Sequence, residues 1–262
     1  MRVFLKNIMI FIMWYPLRVI INLLPLKVIY YMGVLGGTQL YFISRYKHEI
    51  MAKELSIIMP DKSASGIKKI MRGSFVNYFL SEVEVLLYPV MNEAFIKRNV
   101  VIECKEHLDN ALSQGKGVLL FQAHFGAFQM TMPVIGYTGY KMNQISASAS
   151  LWKENITSEI QRQTFDLKAK YEYTLPVKHI SITSSLKPVF RALETNEIVG
   201  ITVDGGGGKK VVQIKFLGRD ANFQRGGAEI AIRTGAMIVP AFIITENGLK
   251  HRLIIKPPIA VS

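Results

Sequence analysis

The sequence predicts an α/β fold in which a mixed, mainly parallel central sheet is flanked by helices. Two apolar runs, VLLF at 118–121 and IVGITV at 198–203, are typical of strands that helices cover on both faces. Strands that alternate with helical patterns, as here, indicate a sheet packed between helical layers. The 262 residues contain no Ser-, Pro- or Gly-rich linker and no repeat of fixed period. We therefore expect one continuous domain after the N-terminal segment.

Residues 1–43 are predicted to form short helices that associate with a membrane surface. Their apolar pieces end before the roughly 20 residues needed to span a bilayer. Four residues interrupt these pieces: Pro16, Arg18, Pro25 and Lys27. Four aromatic residues are expected near headgroup depth: Trp14, Tyr15, Tyr30 and Tyr31. A signal-anchor helix that tolerates one arginine is the alternative.

Two helices are predicted at the start of residues 44–262, the segment expected to form the α/β domain. The helical pattern breaks at Pro60 and Asp61. Ser63 or Ser65 has the side-chain oxygen needed to cap the second helix.

The strands are predicted from three segments. Residues 100–126 have the pattern of strand, helix, glycine turn and strand, and residues 191–204 repeat helix, turn and apolar strand. Residues 226–258 predict a helix, a glycine stop and two strands joined by an Asn-Gly turn. This turn and the segment KKVVQIKFLG at 209–218 suggest that part of the central sheet is antiparallel.

The chain carries a large positive charge. It has 32 Lys and Arg residues against 19 Asp and Glu, a formal net charge of +13, and 50% of its residues are hydrophobic. This combination favours a protein held at an anionic membrane surface. Nucleic acid is not the expected partner, since the chain has no zinc-finger spacing and no RNP-type aromatic motif. The single cysteine, Cys104, excludes an intramolecular disulfide.

The segment LLFQAHFGAFQM, residues 119–130, contains the candidate catalytic residue His124. This histidine follows the buried strand and precedes a helix predicted to begin near Ala127. Strand carboxyl ends and helix N-termini are where open α/β sheets place their sites. Gly126 would allow a bend that brings His124 and Gln129 together.

Five motifs, in order, carry a resemblance to a known family. They are LPLKVIYYMGVLGG at 24–37, HFGAFQ at 124–129, GITVDGGGG at 200–208, FLG at 216–218 and GGAEIAIRTGAMIVPAF at 226–242. Together they resemble the bacterial lipid A biosynthesis acyltransferases, the lauroyl and myristoyl transferase group of the glycerolipid acyltransferase superfamily. In that family the second motif reads H-x-G-x-[WF]-[ED].

The resemblance implies a glycerolipid acyltransferase-like fold and an acyl transfer for which neither a metal nor another cofactor is predicted. His124 would be the general base that takes the proton from an acceptor hydroxyl as it attacks the thioester of an acyl carrier. Gln129 stands where the family has an acid, and an amide carries no charge to stabilise the imidazolium. Asp204 matches the family's acid at the end of another strand. It would supply the missing charge if the two strands lie close together in the sheet.

Further residues are predicted to bind substrate: Gly126, Phe128, Lys209, Arg219, Arg225 and Gly226. The basic members would form a rim for a phosphopantetheine arm or an anionic headgroup, and a solvated basic face is the alternative. Phe128 would line an acyl groove or belong to the core. The glycines at 205–208 lack the spacing of a Walker loop, which favours a turn over a nucleotide site.

The resulting hypothesis is an acyltransferase at the cytoplasmic face of the inner membrane, peripheral or monotopic. Its donor would be acyl carrier protein or acyl-CoA, and its acceptor a membrane lipid or glycolipid. The alternative is a degenerate homologue that binds lipid or acyl carrier without turnover, because the motif acid is replaced. The family's usual C-terminal arm is not expected, since PPIAVS ends the sequence just after a strand.

Overall fold

Helices alternate with strands after an all-helical N-terminal part. The computed structural model describes residues 2–146, 156, 158–183, 185–205, 210–246 and 250–261. The helices are α1 (Arg2–Ile12), α2 (Arg18–Ile20), α3 (Leu26–Ile43), α4 (Arg45–Ile58), α5 (Ala64–Leu86), α6 (Glu93–Asn99), α7 (Glu106–Leu112), α8 (Thr131–Tyr137), α9 (Glu159–Glu172), α10 (Lys187–Glu194) and α11 (Gly226–Thr234). The strands are β1 (Val100–Glu103), β2 (Val118–Gln122), β3 (Met142–Ser146), β4 (Val177–Ser181), β5 (Ile198–Thr202), β6 (Val211–Phe216), β7 (Arg219–Gln224), β8 (Met237–Glu246) and β9 (Lys250–Ile255).

Seven strands form the central sheet in the order β1-β9-β8-β2-β5-β3-β4. Among the described strands, five of its six neighbouring pairs are parallel, and β8 with β9 is the antiparallel pair. β2 lies in the middle, and Val118, Leu119 and Leu120 are completely buried. An apolar strand covered on both faces is expected in a sheet between helices. The predicted α/β class with a mixed, mainly parallel sheet is confirmed.

The segment at 209–218 was wrongly predicted to extend the central sheet. Its strand β6 pairs only with β7 in the described part of the chain, as a separate antiparallel hairpin. The tight turn between them places Leu217 and Gly218 at φ values of 50° and 76°, so β6 folds back on the next segment. The antiparallel part of the central sheet is β8 with β9, as the Asn-Gly pattern predicted, and the turn at 247–249 lies outside the described residues.

The two helices predicted before the sheet are α4 and α5. They are separated around Pro60 and Asp61. Ser63 is the N-cap of α5, and its Oγ accepts a hydrogen bond from the Gly66 backbone N–H at 3.1 Å. Of the two serines considered, Ser63 therefore caps the helix.

Residues 2–23 are more continuous than predicted. A π-helical turn, Met13–Leu17, joins α1 to α2 and contains Pro16, so neither this proline nor Arg18 ends the helix. A π turn shifts the hydrogen-bond pattern, which accommodates a residue without an N–H. Within the described residues, no helix has both the length and the apolar character required to cross a membrane.

Two of the aromatic residues predicted at headgroup depth are instead in the core. Trp14 is 1% exposed and Tyr30 is 3% exposed, whereas Tyr31 is 64% exposed. Trp14 and Tyr30 belong to the same hydrophobic cluster as Val118 of β2, because α1 packs against α9, α3 packs against α5, and Tyr30 reaches His251 of β9. The predicted boundary at residue 43 therefore crosses a shared core.

Candidate active site

The candidate site lies where β2 and β5 end side by side. These strands are parallel neighbours, and their last paired residues are Gln122 and Thr202. The Val203 backbone N–H donates to the Gln122 carbonyl oxygen at 2.9 Å, which extends the pairing one step beyond the strands. The residues that follow, His124 and Asp204, are thereby brought to the same edge of the sheet.

His124 and Asp204 form three close contacts. His124 Nδ1 lies 2.9 Å from Asp204 Oδ1, and the His124 backbone N–H donates to Oδ1 at 3.1 Å and to Oδ2 at 2.9 Å. A carboxylate only accepts, so this geometry assigns the ring proton to Nδ1 and leaves Nε2 as the basic nitrogen. About half of the His124 side chain is exposed (51%), which leaves it accessible to a substrate. The prediction that His124 would be within hydrogen-bonding reach of Asp204 or Gln129 is confirmed for Asp204.

Gly126 makes the bend that orients His124. Its φ is 60°, and a Cβ added there would lie 2.0 Å from the Ile243 carbonyl oxygen. The same oxygen accepts a hydrogen bond from the Ala127 N–H at 3.0 Å, and Asn77 Nδ2 donates to the Gly126 carbonyl at 2.9 Å. Only glycine fits a left-handed conformation at such a close backbone approach. Gly126 is thus a structural requirement of the loop.

Phe128 lies against the histidine. The ring centroids of His124 and Phe128 are 4.7 Å apart, with an interplanar angle of 67°. Phe128 begins a short 3₁₀ turn, Phe128–Met130, before α8. An edge-on aromatic contact of this kind restricts the imidazole orientation.

Gln129 has a different partner from the one predicted. Tyr88 Oη donates to the Gln129 carbonyl oxygen at 2.7 Å and to its side-chain Oε1 at 3.2 Å. In the described part of the chain, no hydrogen bond joins Gln129 to His124. The 3₁₀ turn directs this side chain towards the completely buried Tyr88 instead.

Carboxylates already surround Tyr88. Burial raises the pKa of Tyr88, and the nearby Glu172, Glu84 and Glu82 raise it further. Glu84 is 1% exposed, and burial raises the pKa of its own carboxyl well above the usual range. A neutral amide at Gln129 adds no further charge to this region.

The predicted basic rim is held by acidic partners. Arg219, on β7, forms a salt bridge with Glu54 of α4. Arg225 Nε lies 2.7 Å from Glu229 Oε1. Gly226 begins α11, where an added Cβ would meet nothing within 4 Å. Lys209 lies outside the described residues. The role of the rim in substrate binding stays a prediction.

A buried polar cluster beneath the dyad was not predicted. Gln122 is 5% exposed, and its Nε2 donates to Gln144 Oε1 at 3.1 Å and lies 3.5 Å from Thr202 Oγ1. Gly200 makes room for this contact, since a Cβ there would lie 2.3 Å from Gln144 Oε1. The sequence feature that could have indicated this cluster is a glutamine at the end of an otherwise apolar strand. These residues link β2, β5 and β3 directly below the site.

One grouping of potential metal ligands occurs among the described residues. Side-chain donor atoms of Cys104, Glu106 and His107 lie within 4.8 Å of one another. They follow β1, which is antiparallel to β2 in the sheet, and so belong to the opposite edge from His124. Among the described residues, no hydrogen bond or ion pair connects them with the dyad.

The fold and the site define an α/β protein with a paired histidine and aspartate at the carboxyl edge of its sheet. The chain belongs to the bacterial lipid A biosynthesis acyltransferase family, whose model matches residues 2–262. The resemblance predicted from the sequence motifs is therefore confirmed.

Curated relatives of the chain include phosphatidylinositol mannoside acyltransferases. That of Mycobacterium tuberculosis (strain CDC 1551 / Oshkosh) is 25% identical over 206 residues, which is 76% of this chain and 62% of the relative. That of Mycolicibacterium smegmatis is 22% identical over 212 residues, covering 79% and 66%. The chain thus spans about three fifths of the length of the M. tuberculosis relative.

Proposed function

We propose that this protein is a membrane-associated acyltransferase that moves a fatty acyl group from a thioester donor to a hydroxyl of a lipid or glycolipid. The observation that carries the proposal is the contact of His124 Nδ1 with Asp204 Oδ1 at 2.9 Å. It provides a base, its orientation and a compensating charge at one sheet edge. Family membership supplies the reaction class.

In the proposed reaction, Nε2 of His124 takes the proton of the acceptor hydroxyl as its oxygen bonds to the thioester carbonyl carbon. Collapse of the tetrahedral intermediate breaks the C–S bond, and the proton passes from the imidazolium to the leaving thiolate. Asp204 stabilises the imidazolium in between, because an opposite charge at hydrogen-bonding distance favours the protonated ring. Gln129 has no part in this step.

The proposed donor is acyl carrier protein or acyl-CoA, and the proposed acceptor is a membrane glycolipid. The names of the family and of its mycobacterial relatives support a glycolipid acceptor. The net charge of +13 and the exposed apolar side chains of α1 and α3 support attachment to an anionic leaflet, which we place at the cytoplasmic face of the inner membrane.

The proposal is tested with the purified full chain, acylated acyl carrier protein or acyl-CoA that is radiolabelled in the acyl group, and vesicles that contain candidate lipid acceptors. We expect labelled lipid with the wild type, none above background with His124→Ala, and normal amounts with His107→Ala as the matched control. Binding of acyl donor or lipid without product formation would overturn the proposal in favour of a degenerate, binding-only homologue.

A further inference from the structure

The hairpin of β6 and β7 has one apolar face. Val212, Ile214 and Phe216 alternate along β6 and point to the same side. Their cross-strand partners on that side are Phe223, Ala221 and, beside the turn, Arg219, the one charged residue of this face. The rings of Phe216 and Phe223 are 5.4 Å apart. The hydrophobic pattern is that of a strand pair with one covered face.

The opposite face is mostly polar. It carries Gln213, Lys215, Asp220 and Asn222, with Val211 as its apolar member. Lys215 and Asp220 form a salt bridge at 2.8 Å. The hairpin is therefore amphipathic, with a sidedness set by the strand register.

The apolar face is not covered by the described part of the chain. Val212 is 44% exposed, Ile214 41%, Phe216 50% and the turn residue Leu217 58%. A cluster of large apolar side chains that is exposed to solvent indicates an interaction site.

The hairpin projects from the sheet edge that bears the dyad. In the sequence, the hairpin lies between Asp204 and α11. Gly227 of α11 packs closely against Phe121 of β2, since a Cβ added at Gly227 would lie 2.7 Å from the Cζ atom of Phe121. Arg219 of the hairpin also contacts Glu54 of α4. Whatever binds the hairpin is thereby close to the same edge as His124.

The charge of the hairpin favours an anionic surface. Residues 210–225 contain four basic side chains and one acidic side chain. The side chains of Lys210 and Lys215 are 66% and 75% exposed, and each has one acidic partner, Glu229 and Asp220. Residues 210–225 still carry an excess of positive charge, which an anionic lipid surface attracts. A bilayer interface matches both features of the hairpin, because it offers anionic phosphates beside an apolar interior.

We propose that the β6–β7 hairpin docks by its apolar face into the interfacial region of an anionic phospholipid bilayer. Docking would hold the His124–Asp204 edge at the level of the acceptor headgroups. The role that we give to this docking rests on the proposed function. The contact with lipid itself does not depend on that function. It adds a second membrane contact, distant in sequence from residues 1–43.

The first test measures depth directly. In a Cys104→Ser background, Ile214→Cys or Gln213→Cys carries a fluorescent label, and vesicles of phosphatidylglycerol and phosphatidylethanolamine carry a nitroxide on the acyl chain. We expect at least about threefold stronger quenching at position 214 than at 213, because only the former lies on the docking face. Equal quenching at the two positions, or none at either, would overturn the proposal.

The second test compares two matched substitutions in the unlabelled full chain. Val212→Asp and Val211→Asp alter adjacent valines with similar exposure, 44% and 45%, on opposite faces. We expect Val212→Asp to weaken vesicle binding about tenfold and Val211→Asp to change it little. Equal effects of the two, or a loss of self-association with Val212→Asp at unchanged vesicle binding, would contradict a lipid partner.

The failure of this inference is distinguishable from that of the acyltransferase proposal. With a detergent-dispersed acceptor, Val212→Asp should retain wild-type turnover, while its transfer to an acceptor embedded in vesicles falls in proportion to binding. A loss of turnover in detergent would place the hairpin in the reaction itself and overturn the docking role.

Discussion

The histidine of this chain has its carboxylate partner on a neighbouring strand. Asp204 contacts both Nδ1 and the backbone N–H of His124, whereas Gln129 is engaged by Tyr88. The motif position that carries an acid in the family is here directed towards a region already holding Glu84 and its neighbours. An amide at this position is thus compatible with the pairing of His124 and Asp204.

We predict that Gln129→Glu does not raise turnover and lowers stability. The new carboxylate would lie beside buried Tyr88 and the carboxyls that already raise its pKa, at a cost of about 1–3 kcal/mol near neutral pH. Burial would raise the pKa of the new carboxyl, so the loss should shrink as the pH falls and the group is protonated. Denaturation of the wild type and of Gln129→Glu at pH 5 and pH 8 measures this, and faster turnover with intact stability would contradict it.

The sequence motifs could identify His124 and Asp204 as candidates, but not the contact between them. That contact depends on β2 and β5 being neighbours, a long-range property of sheet order that local patterns do not encode. The same limit applies to Gln129, whose partner Tyr88 lies 41 residues away. The salt bridge of Arg219 with Glu54, 165 residues away in the sequence, is of the same long-range kind.

At the level of elements, the strongly apolar or clearly punctuated segments could be predicted. The strand of β2, the cap at Ser63 and the β8–β9 pair follow from such patterns. β3 and β4 were not predicted, because MNQIS and VKHIS mix polar and apolar residues and are short. Their polar residues are accommodated by contacts such as that of Gln144 with Gln122.

The loop after β2 is predicted to tolerate no side chain at Gly126. Gly126→Ala would place a Cβ 2.0 Å from the Ile243 carbonyl oxygen at a positive φ, and should cost about 3 kcal/mol or more. Gly73→Ala, in the exposed middle of α5 with nothing within 4 Å, should instead stabilise by about 1 kcal/mol. Thermal denaturation compares the two, and similar small effects would contradict the strain at Gly126.

Across the whole molecule, the N-terminal helices and the sheet share one core. Tyr30 of α3 contacts His251 of β9, with Oη 2.7 Å from Nε2, and Trp14 packs near Tyr171 of α9. The sequence indicated the apolar character of residues 1–43 but not which side chains turn inward. Burial of Trp14 and Tyr30 was therefore outside the reach of a local pattern.

The contact between α3 and β9 predicts acid sensitivity. Burial lowers the pKa of His251 from 6.5 to about 4, so the unfolded chain binds a proton that the folded chain resists between these values. Protonation of His251 in the unfolded chain should lower the free energy of unfolding by about 3 kcal/mol from pH 7 to pH 4. The decline should be correspondingly shallower in His251→Gln, while buried Glu84 acts equally in both proteins. Parallel pH profiles of the two proteins in denaturant titrations would contradict the prediction.

Attachment of the whole molecule to a membrane is predicted to use apolar burial as well as charge. High salt should release little protein from isolated membranes, since it screens only the electrostatic part, and detergent should release nearly all. Fractionation followed by immunodetection measures this. Recovery of the full chain in the soluble fraction at physiological salt would contradict it.

The dyad across two strands is tested most directly by the turnover of Asp204→Asn against that of Gln129→Ala, in the acyl-transfer assay with saturating donor. In serine proteases, an amide in place of the orienting acid costs about 10⁴ in turnover. We expect a loss approaching this size for Asp204→Asn, because the tautomer and the charge are both disturbed, and less than about tenfold for Gln129→Ala. A large loss with Gln129→Ala and near-normal turnover with Asp204→Asn would show that the carboxylate of Asp204 is not the functional partner of His124.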